Sequence, residues 1–423
     1  MSELNPQAFL EELFQAAVAA SQPSLCLPPH LLPHFPLAPK GDCLVIGAGK
    51  ASAAMAEAVE AHWPGPIGGL VITQRGYGRP CRNIEIIEAG HPVPDQAGAE
   101  AAKRMLELVG GLRPEDLVIC LMSGGGSSLL SLPLGGVSLA DKRALTRALL
   151  KCGAPISEIN TVRKHISAVK GGRLAAACRP ARILTLAISD VAGNHLSVIA
   201  SGPSVPDPTT SADARRVIEG YGIDAPASVQ RALDGDTGET PKPGDAAFAG
   251  DQAVIIADAA GALAAAADRA RALGIEPVIL GADLEGEARQ LAAKIAGNLD
   301  AHSGRPLVLL SGGEATVTVT GSGRGGPNAE FLLALALALD GRAGVYAQIH
   351  ALACDTDGID GSEDNAGALI APDSLARARA LGIDAEASLA DNDAYGFFAA
   401  LGNLIITGPT YTNVNDFRAI LLT

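Results

Sequence analysis

The 423-residue chain contains few aromatic residues and fewer basic residues than acidic ones. Aromatic side chains make up 3% of the sequence, so its cores must be built largely from Ala, Leu, Val and Gly. Such small apolar residues suit closely packed, alternating strands and helices. The 32 Lys and Arg residues against 46 Asp and Glu residues give a net charge of −14, which argues against nucleic acid as a partner.

The sequence also lacks metal-binding cysteine patterns and long apolar runs. Its seven cysteines show no C-x-x-C spacing, and no His/Cys pair has the spacing of zinc ligands. No apolar run reaches the length of a membrane span, and the N-terminal segment has the pattern of an amphipathic helix without the basic start of a signal peptide. We therefore predict a cytoplasmic protein with reduced cysteines and no membrane partner.

The order of apolar and polar segments predicts two domains of α/β structure. Apolar strands alternate with helices along the chain, for example a helix over Leu139–Lys151 capped by Ser138, which indicates parallel sheets covered on both faces. A stretch rich in Gly, Asp, Thr and Pro at 235–250 marks a domain boundary. We predict a larger Rossmann-like parallel-sheet domain at 1–245 and a smaller mixed α/β domain at 246–423.

The clearest motif is the segment at 117–130, LVICLMSGGGSSLL. A buried strand there leads into a glycine loop that consists of Ser123, Gly124, Gly125, Gly126 and Ser127. Consecutive glycines allow backbone N–H groups to converge, and a following helix N-terminus favours an anion. The loop is thus a candidate site for a phosphate or a carboxylate, although a flexible turn between two packed elements would have the same sequence.

Polar residues directly follow several other predicted strands. These are Lys50, Asp190, Glu314, Asp355 and Asp357. In open parallel sheets, ligands bind beyond the carboxyl ends of the strands, so this placement makes each of them a candidate functional residue. Capping of the next helix is the alternative role for each residue taken singly.

The turn at 47–52, GAGKAS, has features of a nucleotide-binding loop but matches neither common fingerprint. Gly47 and Gly49 begin a dinucleotide motif, but Ser52 stands at the third glycine and no carboxylate follows the next strand. An NADP interpretation through Arg75 stays open. A Walker loop also fails, since its upstream glycine and its magnesium-binding hydroxyl are both missing. The remaining signal is Lys50, which we interpret as a cation facing an anion.

Two further segments carry charge suited to phosphate chemistry. Arg324 is flanked by glycines in GSGRGGPN, and its guanidinium is well shaped to hold phosphate or carboxylate, although an exposed turn arginine would have the same sequence. Asp355, Asp357 and Asp360 concentrate carboxylates that suit Mg²⁺, with a polar turn as the alternative. Ser123 lacks the G-x-S-x-G elbow, which argues against a hydrolase triad.

Taken together, seven segments resemble those of the glycerate 2-kinases, also called class II glycerate kinases, and occur in the same order. The segments are GAGKA, SGGGSS, NTVRKHISAVKGGRLA, SDVAGNHLSVIASGPSVPD, GRGGPNAE, DTDGIDG and TGPTYTNVND. The likeness extends from about Phe9 to the C-terminus. It implies a kinase domain followed by a MOFRL-type domain with a core at about 305–420, and a site in the cleft between them.

The resemblance also implies a reaction: transfer of the γ-phosphoryl group of ATP, with Mg²⁺, to the 2-hydroxyl of D-glycerate, giving 2-phosphoglycerate. Some family members carry the older name hydroxypyruvate reductase, so an NAD(P)H-dependent reductase is the alternative. Two residues depart from the family pattern, since Ala329 stands where Gln is common and Tyr411 where Gly is common. The motif positions carried onto this chain are Lys50, Ser123–Ser127, Asn160, Arg163, Lys164, Asp190, Arg324, Asp355, Asp357 and Asn413–Asp416.

We assign roles to these positions as hypotheses. Lys50 and Arg324 neutralise the moving phosphoryl group, and the backbone at 123–127 holds phosphate oxygens or the glycerate carboxylate. Asp190 accepts the hydroxyl proton, with Asp357 as the alternative base. The Mg²⁺ candidates are Asp190, Asp355 and Asp357, and the further nucleotide or substrate candidates are Gly47, Gly49, Asn160, Arg163, Lys164, Glu314, Asn413 and Asn415. The preferred hydroxyacid, the loop that holds the nucleotide, and the oligomeric state, a homodimer included, stay open.

Overall fold

The structure is a computed structural model that describes residues 5–31, 40–302, 306–342 and 348–422. The chain forms two compact units, one of residues 23–256 and one that joins the N-terminal residues up to Gln22 to residues 257–423. We call them the first and the second unit. Within the described ranges, no helix combines the length and the apolar character that crossing a bilayer requires.

The first unit is built on a sheet of six strands. The strands are β1 (Cys43–Ala48), β2 (Gly68–Gln74), β3 (Ile84–Ala89), β4 (Leu117–Met122), β5 (Arg182–Ile188) and β6 (Gln252–Ala257). The N-terminal helix α1 (Pro6–Ala20) belongs to the second unit. The helices of the first unit are α2 (Pro23–Cys26), α3 (Pro28–Leu31), α4 (Ser52–His62), α5 (Gln96–Val109), α6 (Gly126–Leu129), α7 (Leu139–Lys151), α8 (Ile156–His165), α9 (Arg173–Ala177), α10 (Ser211–Gly220) and α11 (Ala227–Asp234).

The strand order of this sheet is β3-β2-β1-β4-β5-β6, and it creates a crevice at one place. Strand β1 pairs in parallel with both β2 and β4, and β2–β3 and β4–β5 are also parallel. The chain runs outward from β1 to β3 and then returns to the other side of β1 for β4. Neighbouring strands whose connections leave in opposite directions open a crevice at their carboxyl ends, where ligands bind in folds of this kind. The predicted parallel sheet is confirmed.

The apolar runs of the central strands are explained by burial on both faces. All six residues of β4 are buried. Ile46 of β1 and Cys120 of β4 belong to one hydrophobic cluster with Met105 of α5 and Leu174 of α9. Helix α4 contacts β1, β2 and β4 but contributes no residue to that cluster, so it covers the other face. A strand buried on both faces needs apolar residues at successive positions.

The second unit has a mixed sheet in the order β13-β12-β11-β14-β9-β7. The strands of this half are β7 (Glu276–Gly281), β8 (Gly286–Glu287), β9 (Leu307–Gly313), β10 (Ala315–Thr316), β11 (His350–Asp355), β12 (Gly367–Ile370), β13 (Leu404–Ile405) and β14 (Asp416–Leu422), with β8 and β10 forming a separate pair. The helices are α12 (Ala259–Ala272), α13 (Ala288–Asn298), α14 (Pro327–Leu339), α15 (Ser374–Ala380), α16 (Ala385–Ala390) and α17 (Ala394–Leu401).

Strand direction in this second sheet places two strand ends together. Strand β14 is antiparallel to both β9 and β11, so β9 and β11 run in the same direction. Their carboxyl ends therefore lie at one edge of the sheet, beside the first residue of β14. The predicted smaller mixed α/β unit is confirmed.

The division into units differs from the predicted boundary at 245/246 in two respects. Helix α1 falls in the predicted N-terminal domain, but it packs on α12 and β14, with the rings of Phe14 and Phe417 5.8 Å apart. Strand β6 falls in the predicted C-terminal domain, but it lies beside β5 in the first sheet. The Asp251 carboxylate pairs with Arg179 and accepts from the Ile183 N–H at 3.0 Å, which fixes the start of β6 there. The polar stretch at 235–250 is thus a loop within the first unit.

Candidate active site

Three strand ends of the first unit bring the main candidates to one edge. Ala48 at the end of β1 is in register with Met122 of β4, which is in register with Ala187 of β5. The segments that follow these strands carry Lys50, the glycine loop at 123–127 and Asp190. All three segments therefore leave the carboxyl edge of the first sheet, where ligands bind in open parallel sheets.

The first two of these loops are bonded to one another. The Ala51 N–H donates to Ser123 Oγ at 3.0 Å, and the Lys50 N–H donates to the Gly124 carbonyl at 2.8 Å. A Cβ atom at Gly49 would lie 2.1 Å from Ser123 Oγ, and Gly49 has a φ of +149°, so only glycine allows this approach. The buried Ser123 hydroxyl therefore holds the start of α4 in place.

The side chains of Lys50 and His91 lie against the glycine loop. A Cβ atom at Gly125 would be 3.0 Å from the His91 ring and 3.3 Å from Lys50 Cγ, and Gly125 has a φ of +77°. The position thus needs glycine both for its backbone conformation and for the two neighbouring side chains. His91 was not among the predicted site residues, because the only signal was its place in a polar turn after β3.

The far side of the glycine loop is supported by a segment in an unusual conformation. Ala200 and Ser201 have φ angles of 51° and 63°, and the Ala200 Cβ would be 2.7 Å from a Cβ at Gly126. Ser201 Oγ lies 2.8 Å from Ser127 Oγ and donates to Asn160 Oδ1 at 3.4 Å. Left-handed backbone at non-glycine residues costs about 1–3 kcal/mol and is concentrated at functional sites. Both residues lie in the segment SDVAGNHLSVIASGPSVPD, from which only Asp190 was carried over as a site candidate.

The predicted candidates on α8 have different surroundings. Lys164 is committed to a buried ion pair, with its Nζ 3.1 Å from Asp207 Oδ1. Asn160 joins the hydroxyl network behind the glycine loop, as described above. Arg163 is largely buried, and burial lowers its pKa below the usual value for a guanidinium. Lys164 therefore stabilises the first unit, while Asn160 is linked to the glycine loop through Ser201.

In the second unit, the acidic candidates gather at the edge where β9 and β11 end. Gly313 and Asp355 are both in register with Asp416, so Glu314 and Asp355 lie beside the start of β14. The Asp357 N–H donates to Asp355 Oδ1 at 2.9 Å and the Ile359 N–H to Asp357 Oδ1 at 2.8 Å. These are the bonds of a polar turn. Within the described residues, no group of three or more His, Cys, Asp or Glu side chains is arranged to hold a metal ion.

The loop at 408–416 is docked on this acidic turn. Thr356 Oγ1 donates to the Asn415 carbonyl at 2.7 Å, and the Asn415 N–H donates to Asn413 Oδ1 at 3.1 Å. Tyr411 has a φ of 62°, which gives a physical reason why glycine suits this position in the family. Both predicted asparagines thus lie beside the turn of Asp355 and Asp357.

Two buried carboxylates beneath the turn hold the start of α14. Asp360 accepts from the N–H groups of Asn328 and Ala329, each at 2.9 Å, and burial raises its pKa to about 7. Asp416 accepts from Asn328 Nδ2 at 2.6 Å and pairs with Arg418, and burial raises its pKa. Part of the GRGGPN and DTDGIDG motifs therefore serves to fix the start of α14. The number of carboxylates in the sequence did not distinguish this role from Mg²⁺ binding.

Arg324 is held on the surface of the second unit by its neighbours. Its Nη1 lies 3.3 Å from Glu363 Oε2, and its guanidinium carbon lies 4.6 Å from the centre of the Tyr395 ring. The side chain is 60% exposed, so this pairing leaves it accessible to a ligand. A Cβ at Gly323 would be 2.4 Å from Asp393 Cβ, which explains the glycine on that side by close packing.

Comparison with protein families matches two of them in succession. Residues 9–234 match the family described as "Domain of unknown function (DUF4147)", and residues 307–416 match the MOFRL family. The second match agrees with the predicted core at about 305–420.

Known proteins are similar to the chain over most of its length. A protein of Agrobacterium vitis with a provisional hydroxypyruvate reductase name is 51% identical over 100% of this chain and 95% of its own. The D-glycerate 2-kinase of Thermotoga maritima is 42% identical over 88% of this chain and 89% of its own. The crystal structure of a glycerate kinase from Thermotoga maritima superposes with a TM-score of 0.87 and 39% identity, covering 99% of this chain and 100% of that one.

Proposed function

The chain belongs to the glycerate 2-kinase family, from which we infer that it is a kinase that transfers the γ-phosphoryl group of ATP to the 2-hydroxyl of D-glycerate. The observation that supports this most directly is that Lys50, the glycine loop and Asp190 follow three adjacent strands, β1, β4 and β5, at one edge of the first sheet. A cation, converging backbone N–H groups and a carboxylate at one sheet edge are the parts that phosphoryl transfer requires.

In the proposed mechanism, each part has one task. The backbone of the glycine loop and the Lys50 amine hold phosphate oxygens and balance their charge. Asp190 accepts the proton of the attacking hydroxyl. Arg324 of the second unit is proposed to balance charge on the transferring phosphoryl group through its bidentate guanidinium. His91, which lies against the same loop as Lys50, is an additional candidate for contact with phosphate.

We propose ATP and Mg²⁺ as cofactors. Magnesium is usually held by one or two carboxylates together with substrate phosphates, so the adjacent Asp355 and Asp357 fit as its protein ligands, with Asp190 as the alternative. When bound, the ion would neutralise charge on the phosphates. We further propose that the protein acts in the cytoplasm, since all seven of its cysteines are free.

The reductase alternative is supported by the provisional name of the Agrobacterium vitis relative. The local contacts do not favour it. Ser52, at the place of the third glycine, is buried and donates to the Leu121 carbonyl at 3.2 Å. Arg75, the residue suited to an NADP phosphate, lies 2.5 Å from Asp95. Ser52 is therefore engaged in the packing of the first unit, whereas Arg75 is 65% exposed in its ion pair and stays accessible.

The assignment is tested by identifying the product. Purified chain incubated with ATP, Mg²⁺ and D-glycerate is expected to yield 2-phosphoglycerate in a 1:1 ratio to ADP, as measured by ³¹P and ¹H NMR. A parallel reaction with hydroxypyruvate and NADH or NADPH, without ATP, is expected to leave the nicotinamide reduced. Oxidation of the nicotinamide without ATP turnover would assign the chain to the reductases instead.

A second test concerns the glycine loop itself. Gly125→Ala is expected to lower kcat by about 10-fold, because the new Cβ displaces Lys50 and His91 from their positions. Alanine is also unfavourable in the left-handed backbone conformation of this position, which costs about 1–2 kcal/mol in stability. The measurement is steady-state kinetics with a thermal melt of each protein.

The matched control for that variant is Gly136→Ala. Gly136 has a φ of +86°, and no atom lies within 4 Å of the place that a Cβ would occupy, so the substitution carries the backbone cost without any displacement. Equal kcat values for the two variants would show that the contacts at Gly125 do not position the reacting groups.

A further inference from the structure

A cavity in the first unit is lined by basic groups that form no ion pair with an acid of the described residues. Of these groups, only Arg163 is among the nucleotide or substrate candidates named above. The cavity has a volume of about 260 Å³ and lies between α7, α8 and the segment after His91. Its polar lining includes Ser131, Lys142, Arg143 and Arg163. Its other walls are largely apolar, with side chains such as Val93 and Ile159.

Three polar atoms of this lining lack hydrogen-bond partners within the described residues. They are Lys142 Nζ, Ser131 Oγ and Arg143 Nε. Lys142 is 4% exposed and Ser131 1% exposed, so water outside the protein does not compensate for them. A buried polar group without a partner is destabilising, and a buried charge without a partner more so. Two or more such groups around one cavity indicate that the cavity binds something that completes them.

The charges around the cavity specify what that ligand must be. Burial, followed by the nearby charge of Arg163, lowers the pKa of Lys142 to about 7. Burial lowers the pKa of Lys170 well below its usual value, and the charges of Lys142 and Arg163 add to the effect. No carboxylate of the described residues contributes to the lowered pKa of Lys142 or of Lys170. Asp141, which precedes Lys142 in the sequence, accepts from Ser228, and Asp207 pairs with Lys164. A cluster of basic groups in so acidic a chain needs an anion.

The basic groups Lys142, Arg163 and Lys170 are connected to the glycine loop through contacts of Lys170 and of helix α8. Lys170 Nζ donates to the Ala200 carbonyl at 3.2 Å, and Ala200 packs against Gly126. Arg163 lies one helical turn from Asn160, which accepts from Ser201, the partner of Ser127. An anion in the cavity would therefore lie close behind the loop at 123–127.

We propose that this cavity is a binding site for a compact oxyanion, a carboxylate or a phosphate group, held by Lys142 and Arg163 and by the Ser131 hydroxyl. The two basic groups supply the charge that the anion needs, and Ser131 supplies a directed hydrogen bond. The apolar walls leave room for the carbon skeleton of a small organic acid. With phosphate as the ligand, the site needs no step of the kinase reaction. With the substrate carboxylate as the ligand, the proposal rests on the function proposed above.

The proposal is tested by binding measurements on the full chain without nucleotide. Isothermal titration calorimetry is carried out with two probes in turn, D-glycerate and inorganic phosphate. Wild-type protein is expected to bind at least one of them, and Lys142→Met to bind that probe about 10- to 100-fold more weakly, as expected for loss of a charged hydrogen bond. Ser131→Ala is expected to weaken it by about 3- to 10-fold. Lys103→Met, at an exposed position of α5, is the control and is expected to bind as wild type.

Thermal melts of the ligand-free proteins separate a ligand-binding role from a structural one. Lys142→Met removes a buried, unpartnered cation, so its melting temperature is expected to be no lower than that of wild type. Weaker binding of D-glycerate with a raised KM would identify the carboxylate of the substrate as the ligand. Weaker binding of phosphate with an unchanged KM for D-glycerate would identify a phosphate group. Wild-type protein that binds neither probe, or variants that bind both as tightly as wild type, would overturn the proposal.

Discussion

Lys50→Ala is expected to lower kcat by about 10²- to 10³-fold. Lys50 follows β1 directly, its N–H is bonded to the Gly124 carbonyl at 2.8 Å, and its side chain lies against Gly125. A cation held this firmly beside converging N–H groups is already in place when charge develops, so its removal costs about 2.7–4 kcal/mol of transition-state stabilisation. The measurement is steady-state kinetics with ATP, Mg²⁺ and D-glycerate, with the KM values of both substrates recorded separately.

The control for this prediction is Lys103→Ala. Lys103 lies on α5 in the same unit and is 70% exposed, with Glu107 3.8 Å away. Removal of such a surface charge is expected to leave kcat within about 2-fold of wild type. Arg324→Ala is expected to lower kcat to a similar extent as Lys50→Ala. Wild-type kcat values in both Lys50→Ala and Arg324→Ala would contradict the proposed neutralisation of the phosphoryl group.

Arg418→Met is expected to destabilise the second unit by about 3–5 kcal/mol. Arg418 is 1% exposed, its Nη1 donates to the Gly312 carbonyl at 3.3 Å, and its guanidinium pairs with Asp416 and lies 5.3 Å from the centre of the Phe331 ring. Loss of the guanidinium leaves the buried Asp416 carboxylate without a compensating charge. The measurement is urea unfolding followed by circular dichroism.

Two internal references make that measurement specific. The single tryptophan, Trp63, lies in the first unit, so its fluorescence follows that unit and is expected to change little in Arg418→Met. Arg271→Met removes the exposed ion pair with Asp268 in the second unit and is expected to cost no more than about 0.5 kcal/mol. A loss below about 1 kcal/mol in Arg418→Met would show that the Asp416 carboxylate is compensated by other groups.

The parts of the fold that could be predicted from the sequence are those set by local pattern. Helix α7 spans Leu139–Lys151 as predicted, and the Ser138 hydroxyl accepts from the Asp141 N–H at 3.0 Å. The strand β4 and the glycine loop after it were also predicted, because a short apolar run followed by consecutive glycines is typical of a buried strand that ends in a turn. The strand-end argument then predicted which polar residues of the first unit share an edge.

What the sequence did not reveal depends on partners far along the chain. Lys142 has the pattern of an ordinary polar residue of an amphipathic helix, and its burial follows only from how α7 packs. The pairing of Lys164 with Asp207 joins residues 43 positions apart. No helix was predicted at α8, since its polar run NTVRKH lacks a clear apolar period. The membership of α1 and β6 in their units is likewise decided by tertiary contacts rather than by local composition.

The contact of α1 with β14 has a consequence for synthesis of the protein. Phe14 is translated near the start and Phe417 near the end, yet their rings pack together in the second unit. The first unit, by contrast, is a continuous segment of the chain. On the ribosome it is therefore complete while α1 still lacks β14, so α1 can pack on α12 but reaches its full set of contacts only when almost the whole polypeptide has emerged.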